Sequence, residues 1–244
     1  MLVGGNNAVT RPGVHAIGQG GGSSTGTGGG GTGGTARISS DRISSIAGEV
    51  DIAGTASLDS TGNGGSGSVG GLGNGGLTFI DSVNDVSLTG STYLTANGNG
   101  GDGFAGAGAK GTGGTVNVTA NGGSISTNYM QVHADGYGGE TDANGTFSGA
   151  GQGGSVNVMA LANGTLGIGN YLDVYADGAA GSVFGASTSG NGTGGTINFK
   201  ASGANASVTV AQSASLHGLR ERQYRRGNRL RLRRFDHRRQ CHRG

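Results

Sequence analysis

Tryptophan is missing from this chain of 244 residues, proline and cysteine occur once each, and aromatic residues make up only 5%. Charged residues are scarce too, at 12%. The 59 glycines follow no strict Gly-X-Y period, which excludes a collagen triple helix. Lys and Glu, the usual solubilisers of disordered linkers, are rare, and Gly alternates with Val, Ile, Thr, Asn and Ser, residues of strands and tight turns. A chain of this length can bury a core, but with so few large side chains that core must be thin. The single Cys241 lies near the C-terminal end, and a body without Cys suits an exported bacterial protein, which avoids stray disulfides. No stretch is apolar enough to span a membrane. After Met1, Leu2 and Val3 the chain enters Gly4-Gly5-Asn6-Asn7, with no charged n-region and no long apolar run, so no signal peptide opens it. For an exported protein this reads as a fragment or a mis-assigned start.

The formal charge of +2 conceals two unlike parts. Residues 1–218 set five basic residues (Arg11, Arg37, Arg42, Lys110, Lys200) against 12 acids, a net of −7. Residues 219–244 set 11 Arg against Glu221 and Asp236, a net of +9. A basic tail of this kind is one route to nucleic-acid binding.

Internal repetition is the dominant signal. A Gly-Gly pair followed by a short alternating strand recurs at Thr35 (TARIS), Leu77 (LTFID), Thr115 (TVNVT), Ser155 (SVNVM) and Thr196 (TINFK), with spacings of 42, 38, 40 and 41 residues. A second strand follows at a regular offset, as in Glu49–Ile52, Asp85–Leu88, Ser124-Ile125, Thr165–Ile168 and Ser207–Val210. A third follows at Met130–Gly136 and Leu172–Gly178, with Val14–Gly18 as an earlier copy. A Gly-rich stretch then runs to the next Gly-Gly pair. Alternation has period 2 and no segment has a helical period. Val116 and Val118 point one way, as do Val156/Val158 and Ile197/Phe199. In the LTFID copy either Leu77/Phe79 or Thr78/Ile80 could face inward.

One repeat cannot bury its few Val and Ile alone, whereas stacked copies place strand over strand about 4.8 Å apart and make the thin core continuous. The expected fold is therefore all-β: a right-handed parallel β-helix, or β-solenoid, over residues 35–218. Gly and Asn are expected to supply positive-φ corners, and exposed, mobile Gly-rich loops are expected at 62–76, 98–114, 136–154 and 178–195. Residues 1–34 read as a partial preceding repeat with its Gly-rich loop, and 219–244 as a disordered Arg-rich tail. A β-propeller would need four strands and aromatic packing per blade; a disordered Gly-rich chain is the other alternative.

The Gly-Thr-Gly-Gly-Thr-Val-Asn-Val-Thr-Ala run at 111–120, its copies at 151–160 and 192–201, and the Ala-Asp-Gly ends at 134–136 and 176–178 carry a family resemblance. Over residues 14–218 the chain resembles the repeats of filamentous haemagglutinin-like adhesins and autotransporter passengers. The resemblance implies a secreted or cell-surface protein and a structural or adhesive role without catalysis. It implies no cofactor and, as partners, surface carbohydrate or protein on a host or neighbouring cell, with neighbouring β-helix rungs of a longer parent chain. The family's N-terminal secretion domain and C-terminal translocator are not recognisable in this sequence.

β-Helices also carry polysaccharide lyases and hydrolases, whose chemistry needs convergent carboxylates or a carboxylate with a basic partner. Asp135, Asp173 and Asp177 are the candidates, yet they read as solvated ladder and turn residues, and the body's few basic residues are scattered over different repeats. No catalytic, cofactor or metal residue is assigned. Asn97–Phe104 has the flavour of a calcium-binding nonapeptide, but its Gly and Asp offsets do not fit and its Asp does not recur every nine residues. His15, His133 and His217 hold equivalent positions in separated copies, where a metal ladder would need adjacent ones. Gly-rich runs such as 26–34 are followed by no Gly-Lys-Ser/Thr, so they are not phosphate loops. Sequons at Asn117, Asn144, Asn163, Asn191 and Asn205 are accounted for by the abundance of Asn, Ser and Thr.

The register breaks after Ala214-Ser215-Leu216-His217-Gly218, where 11 Arg and no Lys replace the expected Gly-rich stretch. GC-rich Gly codons shifted by one base read CGG, which is Arg. Back-translating residues 225–243 one base on restores Gly-Gly pairs amid Thr, Ile and Asn. The tail thus reads as a frameshift of the next repeat, with no specific nucleic-acid partner; a genuine phosphate-binding tail is the alternative.

Overall fold

The computed structural model describes residues 2–3, 7–9, 13–40, 48–184, 188–218 and 220–221. The Arg-rich segment 222–244, with Cys241, lies outside the described residues. Among the described residues every element is a β-strand and every strand pairing is parallel. The chain visits four sheets in a fixed order, and each strand pairs with its counterparts one repeat before and one repeat after.

The first sheet stacks Thr35–Ser40, Leu77–Ser82, Thr115–Asn121, Ser155–Leu161 and Thr196–Ala201. Turns at Asn163 and Asn205 (φ 59° and 56°), and at Gly122 and Gly203, lead to the second sheet, and Gly54 makes a positive-φ turn between the second-sheet strands Val50–Ile52 and Ala56–Asp59. Its broadest strands are Val86–Thr95 and Ser124–His133; elsewhere the same path is split, as at Thr165–Ile168 and Tyr171–Tyr175. The third sheet holds Gly98–Asn99, Gly136–Tyr137 and Gly178–Ala179, and the fourth holds Gly73–Asn74, Gly111–Thr112 and Gly151–Gln152.

Alternation places one apolar file per sheet position into a single core. Val116, Val118, Val156, Val158, Leu94, Val132, Leu172 and Val174 are all fully buried. The open register of the LTFID copy resolves to Thr78 and Ile80 inward, each at 0% exposure. They stand over Ala36/Val116 and Ile38/Val118. A one-residue slip would turn the whole strand over and break that file. Phe79 lies outside, beneath the Arg37 guanidinium (5.0 Å to the ring centroid), and Arg37 Nη2 pairs with Asp81 Oδ2 at 2.7 Å. The expected burial of Ile197 and Phe199 is not met: Ile197 is half-buried and Phe199 is 42% exposed. Among the described residues their strand pairs with the preceding repeat only, and no further layer lies against them.

The Gly-rich stretches differ from the open loops the sequence suggests. In each, an outgoing limb (third sheet) and a returning limb (fourth sheet) lie back to back, with glycines facing each other. A Cβ on Gly98 would sit 1.9 Å from the Thr112 carbonyl oxygen, and one on Gly136 would sit 2.0 Å from that of Gln152. Sheets packed through side chains lie about 10 Å apart; here backbone meets backbone. The two limbs are stitched by amide hydrogen bonds that zigzag up the stack. Gly101 N–H donates to Gly71 O (2.9 Å), Ala109 N–H to Gly101 O (2.9 Å), Gly139 N–H to Ala109 O (2.8 Å) and Gly149 N–H to Gly139 O (2.8 Å). We call this two-layer projection the fin. Positive-φ glycines occur at the turn between the first and second sheets and, at Gly54, between two second-sheet strands, not within the described fin, so close approach and not backbone handedness is what fin glycines serve there.

Candidate functional site

Outward side chains of the second sheet and the outgoing fin limb form one continuous flat face. Strict in-out alternation holds from Tyr171 to Ala180, with no break where the second sheet passes into the fin. The backbone ladder also continues through the junction: Ala134 N–H donates to Tyr175 O (2.9 Å), Gly136 N–H to Asp177 O (2.8 Å) and Gly138 N–H to Ala179 O (2.8 Å). Five of the chain's six tyrosines, Tyr93, Tyr129, Tyr137, Tyr171 and Tyr175, stand on this face within three successive repeats.

Parallel register aligns them in columns. His133, Tyr175 and His217 occupy one column, with ring planes stacked at 4.5 Å and 4.7 Å between centroids and within 4° and 6° of parallel. The separated placement of the histidines expected from the sequence therefore holds, because Tyr175 sits between His133 and His217; His15 tops the same column, with Asp59 and Thr95 between it and His133. Tyr93 and Tyr129 meet edge to face at 6.0 Å. The Tyr129 hydroxyl donates to Asp173 Oδ2 at 3.0 Å. Burial first, and then the hydrogen bond and negative charge of Asp173, push the Tyr129 pKa up to about 12. Burial and the neighbouring carboxylates likewise raise Tyr137 (beside Asp135) and Tyr175.

The three candidate carboxylates do not converge into a catalytic pair. Asp173 and Asp177 lie four residues apart on one extended path, about 13 Å by strand rise, beyond the roughly 5–9.5 Å that glycoside hydrolysis uses. Asp135 departs from the expectation of a solvated residue, being 1% exposed. Its Oδ1 accepts the Asp177 N–H (2.8 Å), and its Oδ2 meets His133 Nδ1 (2.7 Å) and the Tyr137 hydroxyl (3.2 Å). The reason lies at the base of the fin. There Gly154 N–H binds the Ala134 carbonyl (2.6 Å), as Gly114 N–H binds that of Ala96 (2.6 Å). The diverted carbonyl no longer accepts from the next repeat, and the side chains of Asn97 and Asp135 replace it, Asn97 Oδ1 accepting the Asp135 N–H at 2.8 Å.

Polar side chains of the 97–104 segment are committed to similar ladder bonds: Asp102 Oδ1 accepts the Glu140 N–H (2.9 Å), and Asn99 Nδ2 donates to Asn63 Oδ1 (2.7 Å). Among the described residues no group of three or more His, Cys, Asp or Glu is placed to hold a metal ion. Of the sequon residues, Asn117 donates nothing outward but accepts from Asn157 Nδ2 (2.8 Å), and Asn157 accepts from Asn198 Nδ2 (2.8 Å). Asn163 and Asn205 form the left-handed turns.

Sequence reasoning missed the shared tyrosine face. The signal was present: Tyr129 and Tyr171, and His133, Tyr175 and His217, recur at intervals of 42 residues, one repeat length. No protein-family model, curated protein or solved structure matches this chain. No helix among the described residues is long and apolar enough to cross a membrane.

Proposed function

We propose that this chain is a structural and adhesive segment of a large secreted bacterial surface protein, built as a right-handed parallel β-helix and without catalytic activity. The observation that carries the reading is the in-register repetition of outward polar and aromatic columns along a flat face, with no convergent set of reacting groups. Such a surface makes many weak, equivalent contacts, whose strength comes from multivalency. Its partners are carbohydrate or protein on a host or neighbouring cell, and further rungs of the parent chain on the stack axis. The likeness of the 111–120, 151–160 and 192–201 runs to filamentous haemagglutinin-like and autotransporter repeats supports secretion and a cell-surface setting. The separation of Asp173 from Asp177, and the hydrogen-bonded state of Asp135, speak against the alternative of a carbohydrate-active enzyme.

The test uses beads coated with the full chain and layers of host or bacterial cells. Adhesion above that of uncoated beads is expected, with no release of reducing ends from polygalacturonate-type substrates. Turnover of such a substrate that Asp173→Ala abolishes, or beads that adhere no better than bare ones, would overturn the reading.

A further inference from the structure

We infer that the tyrosine-bearing face is a binding platform for a neutral, linear polysaccharide. The inference rests on the adhesive reading and supplies its ligand class. Between Ser91–Asn99, Tyr129–Tyr137 and Tyr171–Ala179, the outward positions carry Tyr, His, Asp, Asn, Gln, Ser and Thr, and no aliphatic side chain larger than Ala. Protein-binding hot spots draw on Trp, Tyr and Arg; of these the described face offers only Tyr, interleaved with polar side chains. Sugars suit that mixture. Their C–H faces lie on aromatic rings, and their hydroxyls want both donors and acceptors close by.

Tyr171, Tyr137 and Tyr93 present the free surface, at 46%, 42% and 37% exposure. Tyr175 does not, because both its ring faces are taken by His133 and His217. Its stack instead forms a rigid rib, with ring edges outward, between the exposed tyrosines of the neighbouring columns. Asp173, beside Tyr171 and Gln131 in the ladder, supplies acceptors for hydroxyl pairs. The rigid tyrosines lose little rotamer freedom on binding, which favours contact at low entropic cost.

Charge selects within the class. Among the described residues no Lys or Arg stands on these outward columns, while Asp59, Asp173 and Asp177 do. An anionic glycan such as a polyuronate would find no cation and several carboxylates. Shape selects further: the exposed tyrosines are spread over three successive repeats of a flat face, which suits an extended polymer crossing the rungs and not a single sugar in a cleft.

Affinity electrophoresis of the full-length protein in gels containing galactomannan, xyloglucan, mannan or polygalacturonate tests this. Retardation is expected in at least one neutral glycan, while any retardation in polygalacturonate comes from the Arg-rich segment 219–244 and is left unchanged by Tyr171→Ala. Tyr171→Ala, with unchanged far-UV circular dichroism, should weaken binding about tenfold. Asp173→Asn should weaken it less, and Phe147→Ala at the fin tip not at all. Binding to none of the neutral glycans, polygalacturonate retardation that Tyr171→Ala weakens as much as neutral-glycan binding, or full affinity in well-folded Tyr171→Ala and Tyr137→Ala would each overturn the platform. The bead assay separates the two readings. Adhesion that survives both Tyr171→Ala and periodate treatment of the cells removes the platform and keeps the adhesive role. Glycan binding without any adhesion keeps the platform and removes the role.

Discussion

Thr78 shows how a polar side chain comes to sit in an apolar file. Its Oγ1 lies 2.8 Å from Ser60 Oγ and donates to the Thr95 carbonyl at 2.8 Å. Ser60 holds the inward position occupied by Ala96, Ala134 and Ala176 in later repeats, so its hydroxyl needs a buried partner and Thr78 is that partner. Thr78→Val alone should destabilise by about 1–3 kcal/mol, because Ser60 is left with only the long 3.4 Å bond to the Thr95 carbonyl, whereas Thr78→Val with Ser60→Ala should come close to neutral. A double-mutant cycle by urea unfolding reads this coupling; additive losses would remove it. Local composition could not have shown this, since Leu77/Phe79 are at least as apolar as Thr78/Ile80, and only the neighbouring repeats fix the register. Tyr129 carries a second residue-level consequence. Its pKa is raised, so the stabilisation from its protonated hydroxyl is complete below the ordinary tyrosine value near 10. That stabilisation is lost as pH rises through about 12. Ultraviolet titration should show late-ionising tyrosines, Tyr129 among them, and Asp173→Asn should bring part of that late phase earlier. An unchanged titration in that variant would remove Asp173 as a cause.

At the scale of elements, the strands were legible and the fin was not. TVNVT and SVNVM declare their inward Val by strict alternation, and the structure buries all four. The Gly-rich stretches hid an equally regular alternation: Gly98/Gly100 and Gly111/Gly113 repeat with the same period of two, but a glycine carries no hydropathy to reveal it. Composition therefore read as loop, although the chain was describing two facing layers. The Gly-Gly signature has the same origin. A Cβ on Gly113 would lie 2.1 Å from the Ala134 oxygen and 2.6 Å from the Gly154 nitrogen, the pair whose hydrogen bond closes the fin's base. Gly113→Ala should cost on the order of 1–3 kcal/mol from overpacking and about 1 kcal/mol more from that bond. Gly167→Ala, where a Cβ meets nothing within 4 Å, is the matched control and should change little. Equal denaturant midpoints for the two variants would contradict the close-approach account. Asp135 was illegible for a related reason: its burial follows from a backbone carbonyl diverted by a glycine nineteen positions onward, a relation visible only in three dimensions.

Across the whole molecule each repeat touches only its neighbours, so cohesion is close to a sum of identical steps. That accounts for Phe199: among the described residues its layer has one neighbour, and the inward position that is fully buried as Val118 and Val158 in earlier repeats is exposed there. The stack joins two kinds of material side by side. The core buries Val, Leu and Ile; the fin buries peptide groups and almost no hydrocarbon. Exposing apolar surface raises heat capacity, and exposing polar surface lowers it. Unzipping the core is thus a process whose driving force fades on cooling, while opening the fin has a heat-capacity change near zero or below. The two halves of each repeat answer temperature differently, and in the cold the fin holds a growing share of the molecule together.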